Sequence, residues 1–144
     1  MSNEILLRHD ANGITTLTLN APASFNALST AMLTALQTEI ARLHSDQTIR
    51  VVILKGAGKA FCAGHDLREM QAARQCPDQG RAAFESLFAH CAKVMQALQA
   101  LPQPTIAQVH GIATAAGCQL AASCDMITAA PGTRFGVNGI NIGL

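Results

Sequence analysis

The alternation of polar and apolar residues along the chain predicts strands and helices in turn. Two β-rich runs, residues 4–10 and 14–19, flank Ala11-Asn12-Gly13, and Asn-Gly between such runs is typical of a β-hairpin. The loop APASFN follows. A helix is then predicted where apolar residues recur at helical spacing, at Leu33, Leu36, Ile40 and Leu43, with Ser29 or Thr30 as its N-cap.

The same alternation continues to the end of the chain. Residues 50–55, 104–109 and 125–130 are short apolar or β-branched runs that predict three more strands. A second amphipathic helix is predicted by Phe84, Leu87, Phe88, Cys91, Met95, Leu98 and Leu101, ending at Pro102. Strands alternating with helices indicate an α/β fold with parallel connections. Because the chain stops at what reads as the entry to another element, residues 1–144 are expected to form the N-terminal part of one domain.

Composition and charge exclude several classes of function. The 144 residues are 49% hydrophobic and 13% charged, which suits one domain with a buried core. Ten basic and nine acidic residues nearly cancel, which argues against a nucleic-acid partner. Neither a signal peptide nor a membrane span is expected, and the five dispersed cysteines, with no CxxC, predict reduced thiols, no metal site and a cytoplasmic location.

The stretch KAFCAGHDLRE, residues 59–69, predicts a glycine turn that leads into a short helix. Asp66 with Glu69 three residues later is close to a capping box, so a helix over residues 67–73 is expected. Gly64 allows a sharp turn, and the amide near His65 would then be free to bind a carbonyl oxygen or an anion. The alternatives are a junction that binds nothing, or a metal site, which lacks a second cluster of ligands.

The stretch HGIATAAGCQLAAS, residues 110–123, predicts a second helix start built from small residues. Thr114 is the expected N-cap, which leaves the amides of Ala115, Ala116 and Gly117 without helical partners, and Gln119 shares a face with Ala116. Tight helix–sheet packing is the alternative explanation. Two such amides converging on one oxygen would stabilise an enolate or oxyanion, and thioesters are the matching substrate class.

Four segments carry a family resemblance: APASFNALS, VVILKGAGKAFCAGHDLREM, PTIAQVHGIATAAGCQLAASCDMITA and TRFGVNGINIGL. The chain resembles the crotonase superfamily, also called the enoyl-CoA hydratase/isomerase family, and is most similar to its enoyl-CoA hydratase domain-containing protein 3 subgroup. The resemblance covers the first half of a typical member. It implies a crotonase-like α/β spiral of β-β-α turns, cut before the C-terminal helical part. It also implies a homotrimer or hexamer that binds an acyl-CoA thioester, with coenzyme A as part of the substrate and no separate cofactor.

The resemblance also assigns roles to residues. It implies oxyanion amides at His65 and Ala116, with Gln119 as the third catalytic position. The substrate-binding positions that it implies are Ser24, Phe25, Ala63, Gly64, Asp66, Leu67 and Arg68, the last beside a CoA phosphate.

The chain departs from the family at two catalytic positions. The two glutamates of family hydratases fall on Gln119 and Gly139, and neither of these residues can take up a proton. Glu69 and Glu85 are the nearest acids in sequence, but they are expected at a helix start and on a solvated helix face. Three functions stay open: a hydratase or isomerase, a malonyl-CoA-type (methylmalonyl-CoA) decarboxylase that needs no general base, and a non-catalytic acyl-CoA binder.

Overall fold

The computed structural model describes residues 4–137, and its first two strands form the predicted hairpin. Leu6–Ala11 (β1) pairs antiparallel with Ile14–Leu19 (β2). Asn12 and Gly13 have φ angles of 52° and 78°, and positive φ at both central residues is what makes Asn-Gly suitable for this turn. The hairpin prediction is confirmed.

In the described part of the chain, seven strands form two sheets. The strands after the hairpin are β3 (Val51–Gly56), β4 (Thr105–Val109), β5 (Ile112–Thr114), β6 (Met126–Ala129) and β7 (Arg134–Gly136). The larger sheet has the order β1-β2-β3-β4-β6, and all its pairings after the hairpin are parallel. The smaller sheet pairs β5 with β7 in parallel. The three later strands predicted from the sequence are confirmed as β3, β4 and β6, whereas β5 and β7 were not foreseen.

The helices begin and end close to the predicted positions. They are α1 (Thr30–Ser45), α2 (Leu67–Ala73), α3 (Arg81–Gln99) and α4 (Ala116–Ala122), preceded by a 3₁₀ helix at Pro22–Ser24. Ser29 is the N-cap of α1, since its side chain accepts a hydrogen bond from Met32 N at 3.2 Å. Asp66 caps α2 by accepting from Arg68 N at 2.8 Å. Both caps agree with the sequence pattern.

The capping box at α2 is only half formed, which corrects the expectation for Glu69. Its Oε2 accepts hydrogen bonds from N and Oγ1 of Thr30, both at 2.9 Å. Thr30 is the first residue of α1, where backbone N–H groups have no helical acceptor. Glu69 therefore caps the neighbouring helix rather than its own.

The core lies between one face of the larger sheet and helices α1 and α3. It includes Leu17 and Leu54 from the sheet, Leu36 from α1 and Val94 from α3, all fully or almost fully buried. The elements follow the order β-β-α three times, with the second strand of the middle turn reduced to a bridge between Cys62 and Ala113. This is the predicted spiral. No helix within residues 4–137 has both the length and the apolar character needed to cross a bilayer.

Candidate functional site

An apolar cavity of about 660 Å³ lies between α3, α4 and the turn before α2. Its described lining residues are His65, Phe88, Cys91, Ala92, Ala115, Ala116, Cys118, Gln119, Ala122 and Val137. The three positions predicted to be catalytic, His65, Ala116 and Gln119, are therefore on one cavity although they come from two separate segments of the chain.

The two predicted helix-start segments run side by side. Thr114 N donates to Cys62 O at 3.1 Å, and Phe61 N donates to Ile112 O at 3.0 Å. Gly64 has φ 94°, and a Cβ built on it would stand 3.0 Å from Ala115 Cβ and 3.4 Å from Ala116 N. Only glycine satisfies both the backbone angle and the lack of space at this position. The close packing at Gly64 therefore brings the segment that contains His65 next to Ala116.

Two backbone N–H groups beside this cavity are available to a ligand. Within residues 4–137, the N–H groups of His65 and Ala116 have no hydrogen-bond acceptor. Ala115 directs the second of them: it has φ 50° and ψ −126°, and its own N–H donates to Gly136 O at 2.8 Å. A non-glycine residue rarely adopts such angles, and residues held in this way concentrate at functional sites.

The helix start at α4 lies one residue later than predicted. Ala115, not Thr114, is the N-cap of α4, and no side chain caps it. Thr114 is the last residue of β5 and its N–H is committed to Cys62 O, so the chain turns only after it. Of the three amides expected to open this helix, that of Ala115 is paired, and those of Ala116 and Gly117 have no acceptor among the described residues.

The imidazole of His65 is half-buried in the wall of the cavity. Its ring packs edge-to-face on Phe88, with 5.5 Å between centroids and 71° between planes. The Nδ1 atom is buried and has no hydrogen-bond partner among the described residues. Burial lowers the pKa of His65, and the nearby Leu28 carbonyl opposes this shift in part, without a well-aligned hydrogen bond to Nδ1.

The seven predicted substrate-binding residues lie in two segments, residues 24–25 and 63–68, and none of them lines the cavity. Two hydrogen bonds hold their segments together: Ala63 N donates to Phe25 O at 3.0 Å, and Leu28 N donates to Gly64 O at 2.7 Å. Ser24 Oγ donates to Ala21 O at 3.1 Å. The side chains of Phe25, Leu67 and Arg68 are exposed, whereas Asp66 is occupied as the cap of α2.

Asn26 organises this region and was not predicted to do so. It is fully buried with φ 55°, its Oδ1 accepts from Ala21 N at 2.9 Å, and its Nδ2 donates to Ala57 O and Ala60 O, both at 2.8 Å. Asparagine tolerates positive φ better than most residues. The sequence signal was a single amide in a short loop, which reads equally well as a solvated turn residue.

Apart from Gln119, the residues of α3 and α4 that line the cavity were also missed. On α4, Cys118, Gln119 and Ala122 share one face through their spacing of three and four residues, and Phe88 with Cys91 does the same on α3. The spacing alone could have grouped each set. It could not have shown that the two helices face the same cavity.

A second cavity, of about 460 Å³, opens at the carboxyl ends of β3, β4 and β6. It contains Lys55, Gln108 and His110 but none of the predicted site residues. No group of three or more His, Cys, Asp or Glu side chains within residues 4–137 is placed to hold a metal ion. Gly139, the second position onto which the family resemblance places a catalytic glutamate, lies outside the described residues.

Comparison with known proteins identifies the family. The sequence pattern of "Enoyl-CoA hydratase/isomerase" matches residues 9–144. The chain is 43% identical to enoyl-CoA hydratase domain-containing protein 3, mitochondrial, of Xenopus laevis over 92% of this chain and 44% of that protein. It is 36% identical to 1,2-epoxyphenylacetyl-CoA isomerase of Escherichia coli over 92% of this chain and 50% of that protein.

Solved structures agree with the fold. A crystal structure of an enoyl-CoA hydratase of Mycobacterium smegmatis superposes with a TM-score of 0.90 and 55% identity, covering 97% of this chain and 53% of that one. The chain thus spans about half the length of the relatives it matches. The Xenopus protein is named mitochondrial, which does not fit the cytoplasmic location expected from the sequence. The crotonase-like fold is confirmed, and the chain belongs to the enoyl-CoA hydratase/isomerase family.

Proposed function

We propose that this chain binds an acyl-CoA thioester and stabilises its enolate by hydrogen bonds from the N–H groups of His65 and Ala116. One observation carries the proposal: these two amides lack acceptors among the described residues and belong to segments that meet at Gly64, on the same cavity. Preorganised backbone donors aimed at a developing negative charge are a major source of rate acceleration in acyl chemistry.

The walls of the cavity suit the acyl chain. They are mainly apolar, formed by Phe88, Ala92 and Ala122 among others, and they leave Gln119 as the polar side chain on α4. A glutamine amide orients a water or a carbonyl by hydrogen bonding but does not exchange protons. The reaction class is that of the hydratase/isomerase family, with efficient hydration disfavoured because Gln119 occupies a glutamate position.

The exposed segments beside the cavity are proposed to bind the CoA part of the ligand. Phe25 and Leu67 offer exposed apolar surface. Arg68, exposed at the start of α2, is the cation proposed to meet a phosphate, a contact that depends on salt concentration. Assembly as a homotrimer or hexamer is proposed from the family resemblance.

A matched pair of ligands tests the proposed oxyanion contacts without changing the protein. Butyryl-CoA has the thioester oxygen, whereas the thioether S-butyl-CoA lacks it and is otherwise the same size. Two lost hydrogen bonds are worth about 2 kcal/mol, so S-butyl-CoA should bind about 30-fold more weakly. Isothermal titration calorimetry measures both affinities. Equal affinities would show that the thioester oxygen is not held, and binding of neither ligand would refute the function itself.

The absence of a carboxylate among the described lining residues favours a second candidate, a malonyl-CoA-type decarboxylase. Loss of carbon dioxide generates the enolate directly, so the site would need only the oxyanion donors. Release of carbon dioxide from methylmalonyl-CoA without hydration of crotonyl-CoA would identify this reaction. Hydration of crotonyl-CoA would identify the first, and tight binding with no turnover of either would identify a non-catalytic binder.

A further inference from the structure

The cavity has few groups that can move a proton. Its described lining residues include no carboxylate, and their titratable side chains are His65, Cys91 and Cys118. Cys91 is buried, and burial raises the pKa of its thiol, which therefore stays protonated and cannot accept a proton. An enolate at this site still needs a partner that removes and returns the proton on carbon. The choice among the described residues narrows to His65 and Cys118.

The setting of the His65 ring distinguishes its two nitrogens. Nδ1 is buried on the protein side, near the Leu28 carbonyl, and the ring of Phe88 packs against the imidazole at a steep angle. Because His65 lines the cavity, Nε2 is the nitrogen left to meet a ligand. The backbone N–H that would hold the thioester oxygen belongs to the same residue, so a ligand held there lies beside the ring.

We propose that the His65 imidazole is the proton-transfer group of this site, acting on the carbon next to the thioester carbonyl. Nε2 takes the proton from that carbon as the C–H bond breaks. The electron pair moves into the enolate, whose oxygen accepts hydrogen bonds from the His65 and Ala116 amides. The imidazolium then returns the proton, or a deuteron after exchange with solvent. This inference rests on the proposed function and adds a side chain to it.

The surroundings of the His65 ring keep it neutral, which is the form that can accept a proton. Its neighbours on the cavity wall are Phe88, Cys91 and Ala92 from α3, and Cys118 and Gln119 from α4. None of these side chains carries a charge while the two thiols are protonated. Asp66, the next residue in the chain, has its carboxylate engaged with Arg68 N at 2.8 Å. Because burial lowers the pKa of His65, the neutral form of the ring predominates at pH 7, and the ring gains a proton at a lower pH than an exposed imidazole does.

Deuterium exchange of butyryl-CoA tests this inference, because it needs no other reactant. The purified chain is incubated with butyryl-CoA in D₂O, and mass spectrometry follows exchange at the carbon next to the carbonyl. The variant His65→Gln removes the ring and leaves the backbone N–H in place. General acid–base catalysis typically contributes about 100-fold or more, so exchange should fall at least about 100-fold in this variant. His9→Gln, on the exposed part of β1, is the matched control and should exchange at the wild-type rate.

Two further readouts separate chemistry from a folding defect. Exchange by the wild type should decline as the pH falls below 6.5, and added imidazole should restore exchange to His65→Ala. Calorimetry should give His65→Gln and the wild type similar affinities for butyryl-CoA. Unchanged exchange in His65→Gln, or loss of exchange in Cys118→Ser instead, would overturn the role of His65. Binding without any exchange would also refute that role alone, whereas no binding by the wild type would refute the proposed function.

Discussion

At the scale of single residues, Ala115 has a strained backbone conformation that orients the N–H group of the next residue, Ala116. Its φ of 50° with ψ −126° is unfavourable for a residue with a Cβ, and strain of this kind costs about 1–3 kcal/mol. With these angles its own N–H donates to Gly136 O, and the N–H of Ala116 has no acceptor within residues 4–137. The strained conformation is therefore linked to the contact on which the proposed function depends.

Replacing Ala115 by glycine should relieve this strain. Glycine adopts positive φ without penalty, although it gains about 0.4–1 kcal/mol of entropy in the unfolded chain. The expected net result for Ala115→Gly is a rise of about 1 kcal/mol in the free energy of unfolding, measured by urea denaturation at pH 7. Ala89→Gly, at an exposed position in the interior of α3, should lower it by about 1 kcal/mol. A loss of equal size in both variants would contradict the strain.

At the scale of elements, Glu69 and Thr30 join the starts of two helices. The carboxylate accepts from both the backbone N–H and the hydroxyl of Thr30 at 2.9 Å, and Leu28 N donates to Gly64 O nearby. These contacts hold the segment that contains His65 against the segment before α1. Because both proposed substrate-binding segments meet here, Glu69 fixes their relative position.

A double-mutant cycle measures this link. Glu69→Ala should cost about 1 kcal/mol, since it removes a cap from α1, and Thr30→Ala should cost less because the N–H remains. The coupling energy between the two changes should be about 0.5–1 kcal/mol by urea denaturation. Glu85→Ala, which breaks only an exposed ion pair with Arg81, should cost about 0.5 kcal/mol or less. Additive effects of the first two changes would mean that the contact does not contribute.

The elements that could be predicted from the sequence are those specified by neighbours in the chain. The hairpin at Asn12-Gly13 and the helix capped by Asp66 need only local turn and cap chemistry. The strand β5 was missed because Ile112–Thr114 is held by distant partners, the strand β7 and the carbonyl of Cys62. The same bond to Cys62 explains why the N-cap predicted at Thr114 was wrong.

The candidate site divides in the same way. The two helix starts are local features, and unpaired amides could be predicted at both, although one of those expected at the second, that of Ala115, is paired. Their meeting at Gly64 depends on the pairing of two segments about fifty residues apart, and the wall from α3 depends on helix packing, so neither follows from spacing. For Glu69 the capping-box pattern predicts a partner at the start of its own helix. Its carboxylate instead accepts from Thr30, which offers both an N–H and a hydroxyl.

At the scale of the whole molecule, two kinds of titrating group make stability depend on pH. The pKa values of four aspartates are lowered from 3.8, chiefly by hydrogen bonds from Arg8 to Asp10, from Thr48 to Asp46, from the N–H of Ala82 to Asp78 and from the N–H of Thr105 to Asp125. That of His65 is lowered from 6.5 by burial. In both cases the unfolded chain binds protons at a higher pH than the folded one, so stability falls as the pH falls.

His65 and the aspartates titrate in different pH ranges. The free energy of unfolding plotted against pH should therefore show two separate declines. Well above pH 6.5 both kinds are deprotonated in either state, so these groups leave the free energy of unfolding unchanged there. The first decline should begin as the pH falls through 6.5, where the unfolded chain protonates His65 and the folded chain resists, and it should level off once the folded state is protonated too. The second should begin near pH 3.8, where the aspartates of the unfolded chain take up protons first.

Urea denaturation from pH 8 to pH 3 measures the curve. His65→Gln should abolish the first decline and leave the second, whereas His9→Gln should keep both, and a first decline that persists in His65→Gln would show that the pKa of His65 is not lowered by folding.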